Sequence, residues 1–312
     1  MRFYFAPMEG ITGYIYRNAH HTFFGNMDKY FSPFIVPNQN GKLSTRERND
    51  ILPENNKGLI LVPQLLTNNA KDFIKTSMVI EQLGYQEINL NLGCPSGTVV
   101  SKNRGAGFLA KQEELNRFLE EIYNASVTKI SVKTRIGKDH PEEFYELIEI
   151  FNQYPIKELI IHPRIREDFY NNHPNMDVFR DAVLMSKNPV CYNGDICTPE
   201  DILKFSLDFP EVDSMMIGRG LLRNPGLINV MYHNTKLDKK RLKEFHDKIY
   251  EGYKEILYGD RNILFKMKEL WFYMIPIFTD NSKYAKKIRK AEKLKDYNEA
   301  VINLFEEQEL VY

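Results

Sequence analysis

Short apolar runs rich in Ile, Val, Leu and Phe recur along the first two thirds of the chain, and most precede a longer amphipathic stretch. This is the pattern of repeated strand–helix units. The runs predicted as strands are Phe3 to Ala6, Lys29 to Ile35, Leu59 to Leu65, Glu87 to Asn91, Lys129 to Thr134, Glu158 to His162, Pro189 to Asn193 and Ser214 to Ile217. Eight parallel strands joined by helices close into a barrel. The predicted fold class is therefore α/β, a (β/α)8 TIM barrel.

The stretches between the runs carry helical periodicity, and two of them begin with proline at an early helical position. The predicted helices include Ala70 to Leu83, Gln112 to Asn124, Pro141 to Asn152 and Pro199 to Phe209. The second unit breaks this rhythm, because the mainly polar stretch from Pro37 to Gly58 shows no clear helix. An irregular stretch of that length predicts a functional loop.

From Asp238 onward the strand pattern ends and the periodicity is helical. Helices are predicted over Lys239 to Tyr258, Asn262 to Phe278 and Lys283 to Glu307. The sequence therefore predicts two domains, a barrel over residues 1–235 and a small all-helical domain over residues 236–312.

Composition is that of an ordinary globular protein, with 43% apolar and 27% charged residues in a chain of 312. No segment has the basic start and apolar run of a signal peptide, or the apolar length of a membrane span. We therefore expect a cytosolic protein with no membrane partner. Cys94, Cys191 and Cys197 form no CxxC pair and have no zinc-type His spacing, so neither a disulfide nor a metal site is predicted.

The formal net charge of zero argues weakly against a nucleic-acid partner, but the charge is unevenly distributed. Residues 236–295 hold 17 Lys or Arg and 9 Asp or Glu, a local net charge of +8, whereas the last 17 residues hold five acids and no base. The predicted helical domain is thus basic over most of its length.

Chemistry in such a barrel lies where strands end and the following loops begin. Polar residues and glycines occupy these positions at Pro7 to Gly10, Gln64, Asn91 to Pro95, Lys133 to Arg135, His162 to Arg164, Asn193 to Asp195 and Gly218 to Gly220. Each alone is more often a satisfied structural group than a functional one. Together they predict one shared site.

The turns Asn193-Gly194-Asp195 and Gly218-Arg219-Gly220 follow the seventh and eighth runs, where such barrels often bind a phosphate. Glycine allows close backbone approach, and Arg219 adds a planar cationic donor. The alternative is a pair of tight turns.

Lys133 should point into the mouth of the barrel, where its charge would stabilise an anionic ring such as a reduced flavin. The alternative is a lysine that extends to solvent. Cys94 lies in a turn between Gly93 and Pro95, and a protonated thiol beside a flavin could donate a proton to a reduced carbon. A nucleophilic cysteine is the rival, but no activating base is visible nearby in the sequence.

These segments resemble the tRNA-dihydrouridine synthase family. The resemblance is carried by APMEG, LNLGCPSGTVVSKNRGAGFLA, SVKTRIG, IIHPR, YNGDI and MIGRGLLRNP, and it extends from the first strand to about Pro225. The N-x-G-C-P segment followed by the glycine-rich stretch Lys102 to Gly107 is its most specific part.

The resemblance implies an FMN site and a uracil site. FMN would be held by Pro7, Met8, Gln64, Lys133, His162, Asn193, Gly194, Asp195, Gly218 and Arg219. Glu9 is counted with these cofactor residues, although many relatives carry Ala there. Cys94 would be the catalytic proton donor. The uracil site would be lined by Asn91, Arg135 and Tyr170, with Lys102 and Arg164 nearby.

The implied reaction has two halves: NADPH reduces FMN, and the flavin then passes a hydride to C6 of a uridine in tRNA while Cys94 protonates C5. The target base must leave its stack, so contacts to the RNA backbone are expected. Seven Lys or Arg within the thirteen residues from Lys283 to Lys295 suit such contacts, and a solvated helix face is the alternative. We expect a monomer.

Two other functions are considered. One is an FMN barrel oxidoreductase for a small molecule, which the basic C-terminal segment disfavours. The other is a tRNA-binding protein without catalysis, which Cys94, Lys133 and His162 disfavour.

Overall fold

A computed structural model describes residues 1–311 and places nine parallel strands in one sheet within that range. They are β1 (Arg2–Phe5), β2 (Lys29–Phe31), β3 (Leu61–Val62), β4 (Gln64–Leu65), β5 (Glu87–Leu92), β6 (Lys129–Gly137), β7 (Leu159–Ile165), β8 (Val190–Tyr192) and β9 (Ser214–Ile217). The spatial order is β3-β2-β1-β9-β8-β7-β6-β5-β4. Its two ends, β3 and β4, are separated by Pro63 alone, so the sheet nearly closes into a barrel. The predicted TIM-barrel fold is confirmed.

The eight predicted runs become nine strands because the third run is split at Pro63. Proline has no backbone N–H and cannot donate to a strand ladder. Its carbonyl still accepts from the backbone N–H of Asn89 at 2.9 Å, which keeps the third run against β5.

Side chains at alternate strand positions fill the barrel, as the two-residue period of a strand requires. One buried cluster consists of Tyr4, Ala6, Phe31, Val62, Ile160, Cys191 and Met216. Glu158, near the amino end of β7, accepts hydrogen bonds from the hydroxyls of Tyr4 and Ser214, both at 2.9 Å. Glu158 Oε1 and these two hydroxyls therefore satisfy one another and belong to the stability of the barrel.

The helices within residues 1–311 are α1 (Tyr14–Phe23), α2 (Thr45–Ile51), α3 (Ala70–Gln82), α4 (Gly97–Val100), α5 (Gln112–Ala125), α6 (Glu143–Phe151), α7 (Met176–Met185), α8 (Pro199–Asp208), α9 (Arg219–Arg223), α10 (Leu227–His233), α11 (Lys239–Ile256), α12 (Asp260–Met274), α13 (Ser282–Lys290) and α14 (Leu294–Glu307). Short 3-10 segments are Pro53–Asn56, Gly105–Phe108, Arg166–Asp168 and Ile275–Ile277. The helical C-terminal region is confirmed. No helix in the described part of the chain has both the length and the apolar character to cross a membrane.

Two predictions are wrong, one of a stretch without a helix and one of a single long helix. The stretch Pro37 to Gly58 contains α2, whose first turn is closed by a capping box in which Ser44 and Glu47 bond each other's backbone N–H groups. The predicted helix Lys283 to Glu307 is two helices, because the chain is extended between α13 and α14. Lys268 donates to the carbonyl of Ala291 at 2.6 Å in this break.

The chain divides into two compact units. The first consists of Met1–Pro7, Asp28–Asp195 and Phe205–Ile217, and it contains the nine strands. The second consists of Met8–Met27, Ile196–Lys204 and the chain from Gly218 onward. The predicted domain division between residues 235 and 236 stays a prediction.

Candidate active site at the carboxyl ends of the strands

A ladder of hydrogen-bonded side chains lines one side of the barrel interior. The amide of Gln64 donates to Asn89 at 2.7 Å, and Asn89 donates to the hydroxyl of Ser131 at 3.0 Å. Asn91, one step further along β5, donates to Gln64 Oε1 at 2.7 Å. The polar groups are buried and paired, so they form a rigid network.

The turn that carries Cys94 is fixed by this ladder. Asn91 Oδ1 accepts from the backbone N–H groups of Gly93 and Cys94, both at 3.0 Å. The carbonyl of Cys94 accepts from the N–H of Ala106 at 3.1 Å. Gly105, at φ +55°, lies so close that a Cβ there would be 2.8 Å from the Cys94 carbonyl oxygen. The N-x-G-C-P segment and the glycine-rich stretch after it therefore fold into one support for a half-buried thiol.

Lys133 follows on β6, directly beside Asn91 in the sheet register. Within residues 1–311 its ammonium makes no hydrogen bond and no ion pair. Burial, and next the positive charge of Arg135, lower the pKa of Lys133 to about 8. A cation without a carboxylate is costly inside a barrel, so this position suits a bound anion.

Arg135, two residues further along β6, is only 1% exposed and connects three backbone carbonyls. Its guanidinium donates to Gly93 at 3.0 Å, to Ile165 at 2.7 Å and to Phe169 at 2.8 Å. The guanidinium carbon also lies 5.6 Å from the ring centre of Tyr170. Burial lowers the pKa of this guanidinium from its ordinary value.

His162, Arg164 and Asp195 form a second connected group. Arg164 donates to both carboxylate oxygens of Asp195, at 3.0 and 2.6 Å, and to His162 Nε2 at 3.0 Å. A guanidinium has no acceptor, so Nε2 is the unprotonated nitrogen and the neutral ring carries its proton on Nδ1. The ring of Tyr170, 44% exposed, lies 6.0 Å from that of His162.

The turn after β8 is held by packing as well as by hydrogen bonds. Asn193 donates to the carbonyl of Met216 at 2.8 Å, which ties the end of β8 to β9. A Cβ on Gly194 would lie 1.9 Å from the hydroxyl oxygen of Tyr192. Glycine is therefore required there by the tyrosine that precedes the turn.

Four of the predicted cofactor residues lie in the second unit, namely Met8, Glu9, Gly218 and Arg219. The N–H of Met8 donates to Thr12 Oγ1 at 2.8 Å, and Glu9 is exposed. Gly218 precedes the first turn of α9, which begins at Arg219. Gly220 approaches Ile196 so closely that a Cβ would lie 2.1 Å from its carbonyl oxygen.

The structure thus connects most of the predicted residues of the first unit by direct contacts. Those connected are Gln64, Asn91, Cys94, Arg135, His162, Arg164, Tyr170 and Asp195. Lys133 adjoins them only through its place beside Asn91 in the sheet register. Pro7 is half-buried after β1, and Lys102 is exposed with its carbonyl bonded to Asn68. Sequence reasoning missed Asn89 and Ser131, although polar residues at every second position of β5 and β6 were a usable signal.

The carboxyl ends of the strands carry buried polar groups, a loop cysteine held through its backbone and a lysine without an anion. A polar site at this end of the barrel is the architecture of a TIM-barrel enzyme. A sequence model of the dihydrouridine synthase family matches residues 4–311, and the chain belongs to that family. The family resemblance is confirmed. So is the predicted enzyme class, an FMN-dependent oxidoreductase with an NAD(P)H donor, and the lysine without an anion fits such a cofactor.

Curated relatives carry related names. The chain is 26% identical over 231 residues to tRNA-dihydrouridine synthase B of Pasteurella multocida (strain Pm70), covering 74% of this chain and 68% of that protein. It is 27% identical over 233 residues to probable tRNA-dihydrouridine synthase 2 of Bacillus subtilis (strain 168), covering 72% and 70%.

Solved structures share the fold. Morphinone reductase in complex with tetrahydroNAD aligns with a TM-score of 0.53 at 12% identity over 76% of this chain and 88% of that one. TcOYE with pHBA aligns with a TM-score of 0.55 at 11% identity over 83% and 96%. At such identities the likeness concerns the barrel alone.

Proposed function

We propose that this enzyme reduces the C5–C6 double bond of specific uridines in tRNA, with NADPH as the electron source, as a tRNA-dihydrouridine synthase. The observation that carries the proposal is that Cys94, whose backbone is held in its turn, lies near Lys133, an ammonium that has no anionic partner. A thiol supplies a proton and a fixed cation attracts a reduced flavin, and these are the two needs of this reaction.

Bound FMN would supply the hydride for C6 of the uracil. Around it, Lys133 offers the positive charge, while Gln64, His162, Asn193, Gly194 and Asp195 shape the pocket. The remaining cofactor residues of the proposal are Pro7, Met8, Glu9, Gly218 and Arg219. The thiol of Cys94 delivers its proton to C5 on completion of the hydride step.

The proposed uracil site consists of residues with further hydrogen-bonding capacity. Asn91 uses one amide proton on Gln64 and retains a second, and Arg135 spends three of its five N–H donors on carbonyls. Tyr170 presents an exposed ring on which an extruded base can stack. Arg164 and Lys102 complete the proposed set.

The helical segment 236–312 is proposed to bind the tRNA backbone. Lys283, Lys286, Lys287 and Lys290 of α13 line an open groove of about 670 Å³, with Asp296 and Glu299 of α14 on its other side. Tyr284 and Ile288 of the same helix are buried, so the lysines occupy the opposite face. Four cations at helical spacing suit a run of phosphates.

The first test uses Cys94→Ala, with Cys197→Ser as the control. We expect Cys94→Ala to purify with FMN and to be bleached by NADPH, but to lose most dihydrouridine formation on natural tRNA. Cys197→Ser should behave as the wild type. Undiminished turnover by Cys94→Ala would remove the proton-donor role, and a colourless protein would remove the synthase proposal.

The second test reverses charge on α13. Lys286→Glu with Lys290→Glu should weaken tRNA binding and flatten its dependence on salt, while NADPH still reduces the flavin at the wild-type rate. Lys71→Glu with Lys204→Glu, at exposed positions of α3 and α8, is the control with the same change in net charge. Equal tRNA affinity for both variants would contradict the proposed surface.

A further inference from the structure

We infer that Arg135 is a positioning residue, which sets the distance between the turn that carries Cys94 and the loop that carries Tyr170. This inference rests on the proposed function, because it matters only if Cys94 delivers the proton and Tyr170 borders the base. It differs from a role in which Arg135 acts through substrate contact alone.

The three carbonyls that Arg135 binds belong to these two segments. Gly93 immediately precedes Cys94, and Phe169 immediately precedes Tyr170. The Nε–H of Arg135 donates to the Gly93 carbonyl in the first segment. The two Nη groups donate to the carbonyls of Ile165 and Phe169 in the second. Because the guanidinium is a rigid plane, the three bonds fix one segment against the other.

The Tyr170 loop needs this support, since its backbone is strained. Phe169 has φ 48° and ψ −95°, a conformation that L residues rarely adopt. Such a residue costs on the order of 1–3 kcal/mol and persists only where its surroundings hold it. Arg135 holds the carbonyl of this residue at 2.8 Å.

The Cys94 turn is held from two sides, and Arg135 provides one of them. Asn91 accepts hydrogen bonds from the N–H groups of Gly93 and Cys94, and the N–H of Ala106 donates to the Cys94 carbonyl. The remaining carbonyl, that of Gly93, accepts from Arg135. Each backbone polar group of this dipeptide is therefore engaged, and removal of Arg135 frees one of the four.

The decisive experiment is performed on the FMN-bound enzyme without tRNA. In a Cys197→Ser background, the rate at which iodoacetamide alkylates Cys94 is followed by mass spectrometry for Arg135→Lys and for unaltered Arg135. Lysine keeps the charge but cannot reach three carbonyls, so we expect alkylation to change about tenfold as the turn moves. Reoxidation of reduced flavin by tRNA should fall about 100-fold, the usual cost of a 1 Å misplacement.

Two glycines calibrate the assay. Gly105→Ala pushes on the Cys94 carbonyl and should change alkylation in the same way, whereas a Cβ on Gly97 meets no atom within 4 Å and Gly97→Ala should not. An unchanged alkylation rate in Gly105→Ala would overturn the described support of the turn.

The outcomes distinguish failure of the positioning role of Arg135 from failure of the proposed function. Arg135→Lys with normal alkylation but slow reoxidation would overturn positioning in favour of substrate contact. Loss of FMN or of NADPH reduction in Arg135→Lys would also overturn it, since the inference places this residue outside the flavin pocket. The proposed function fails separately, if Cys94→Ala retains full turnover.

Discussion

Replacing Lys133 with methionine is expected to stabilise the flavin-free protein while it impairs the enzyme. The pKa of this lysine falls from 10.5 to about 8 through burial and through the charge of Arg135. At about 1.36 kcal/mol per pH unit, the ammonium costs the folded state up to about 3 kcal/mol at neutral pH. Methionine has a similar length and carries no charge, so it removes this cost.

The lowered pKa of Lys133 makes the free energy of unfolding of the wild type depend on pH. Between pH 8 and 10.5 the unfolded chain binds the lysine proton and the folded protein does not, so stability of the wild type rises with pH over this window. Lys133→Met lacks this component. Its advantage should be largest at pH 7 and should vanish above pH 10.5.

The assay is urea unfolding of flavin-free protein at several pH values, with Lys129→Met as the control. Lys129 is exposed at the start of the same strand, so its replacement should change stability little. The reasoning is refuted if Lys133→Met is less stable than the wild type at pH 7, because the ammonium would then have a stabilising partner.

The same substitution tests the cofactor role. With FMN bound, loss of the cation should lower the two-electron reduction potential of the flavin by about 30 mV, which corresponds to about 1.4 kcal/mol. Bleaching by NADPH should slow accordingly. A variant with unchanged potential and affinity would remove Lys133 from the proposed site.

Three further changes are predicted. Burial lowers the pKa of His20 to about 3, so the free energy of unfolding of the wild type should fall by up to about 5 kcal/mol as the pH falls from 6.5 to 3. His20→Gln should remove this loss of stability in acid unfolding curves. Tyr297→Phe leaves the buried Trp271 and His246 without their shared hydroxyl, so urea unfolding should show a loss of about 2–4 kcal/mol, and a loss below 0.5 kcal/mol would contradict it. Gly194→Ala should displace Tyr192 and release FMN, measured by the absorbance of the purified protein, and full flavin content would contradict it.

Local sequence pattern was sufficient for most elements of the fold. Strand β9 and the first residue of α5 were predicted at their observed positions, because alternation and helical periodicity report local burial. The break between α13 and α14 was not predicted, because it depends on contacts from elsewhere. Lys268 holds the carbonyl of Ala291, and Asp260 accepts from the N–H of Leu294 at 3.1 Å. Helix α2 was missed although its capping box is readable in the sequence.

The sequence by itself determined which positions are predicted to carry chemistry, since polar residues at the ends of apolar runs must meet at one end of a parallel barrel. It could not determine which of them bind each other. Arg135 finds its carbonyl partners 42, 30 and 34 residues away, at Gly93, Ile165 and Phe169. Only closure of the barrel brings these loops within reach of one guanidinium, so the tertiary structure decided that this side chain holds loops together and that Lys133 is left without an anion.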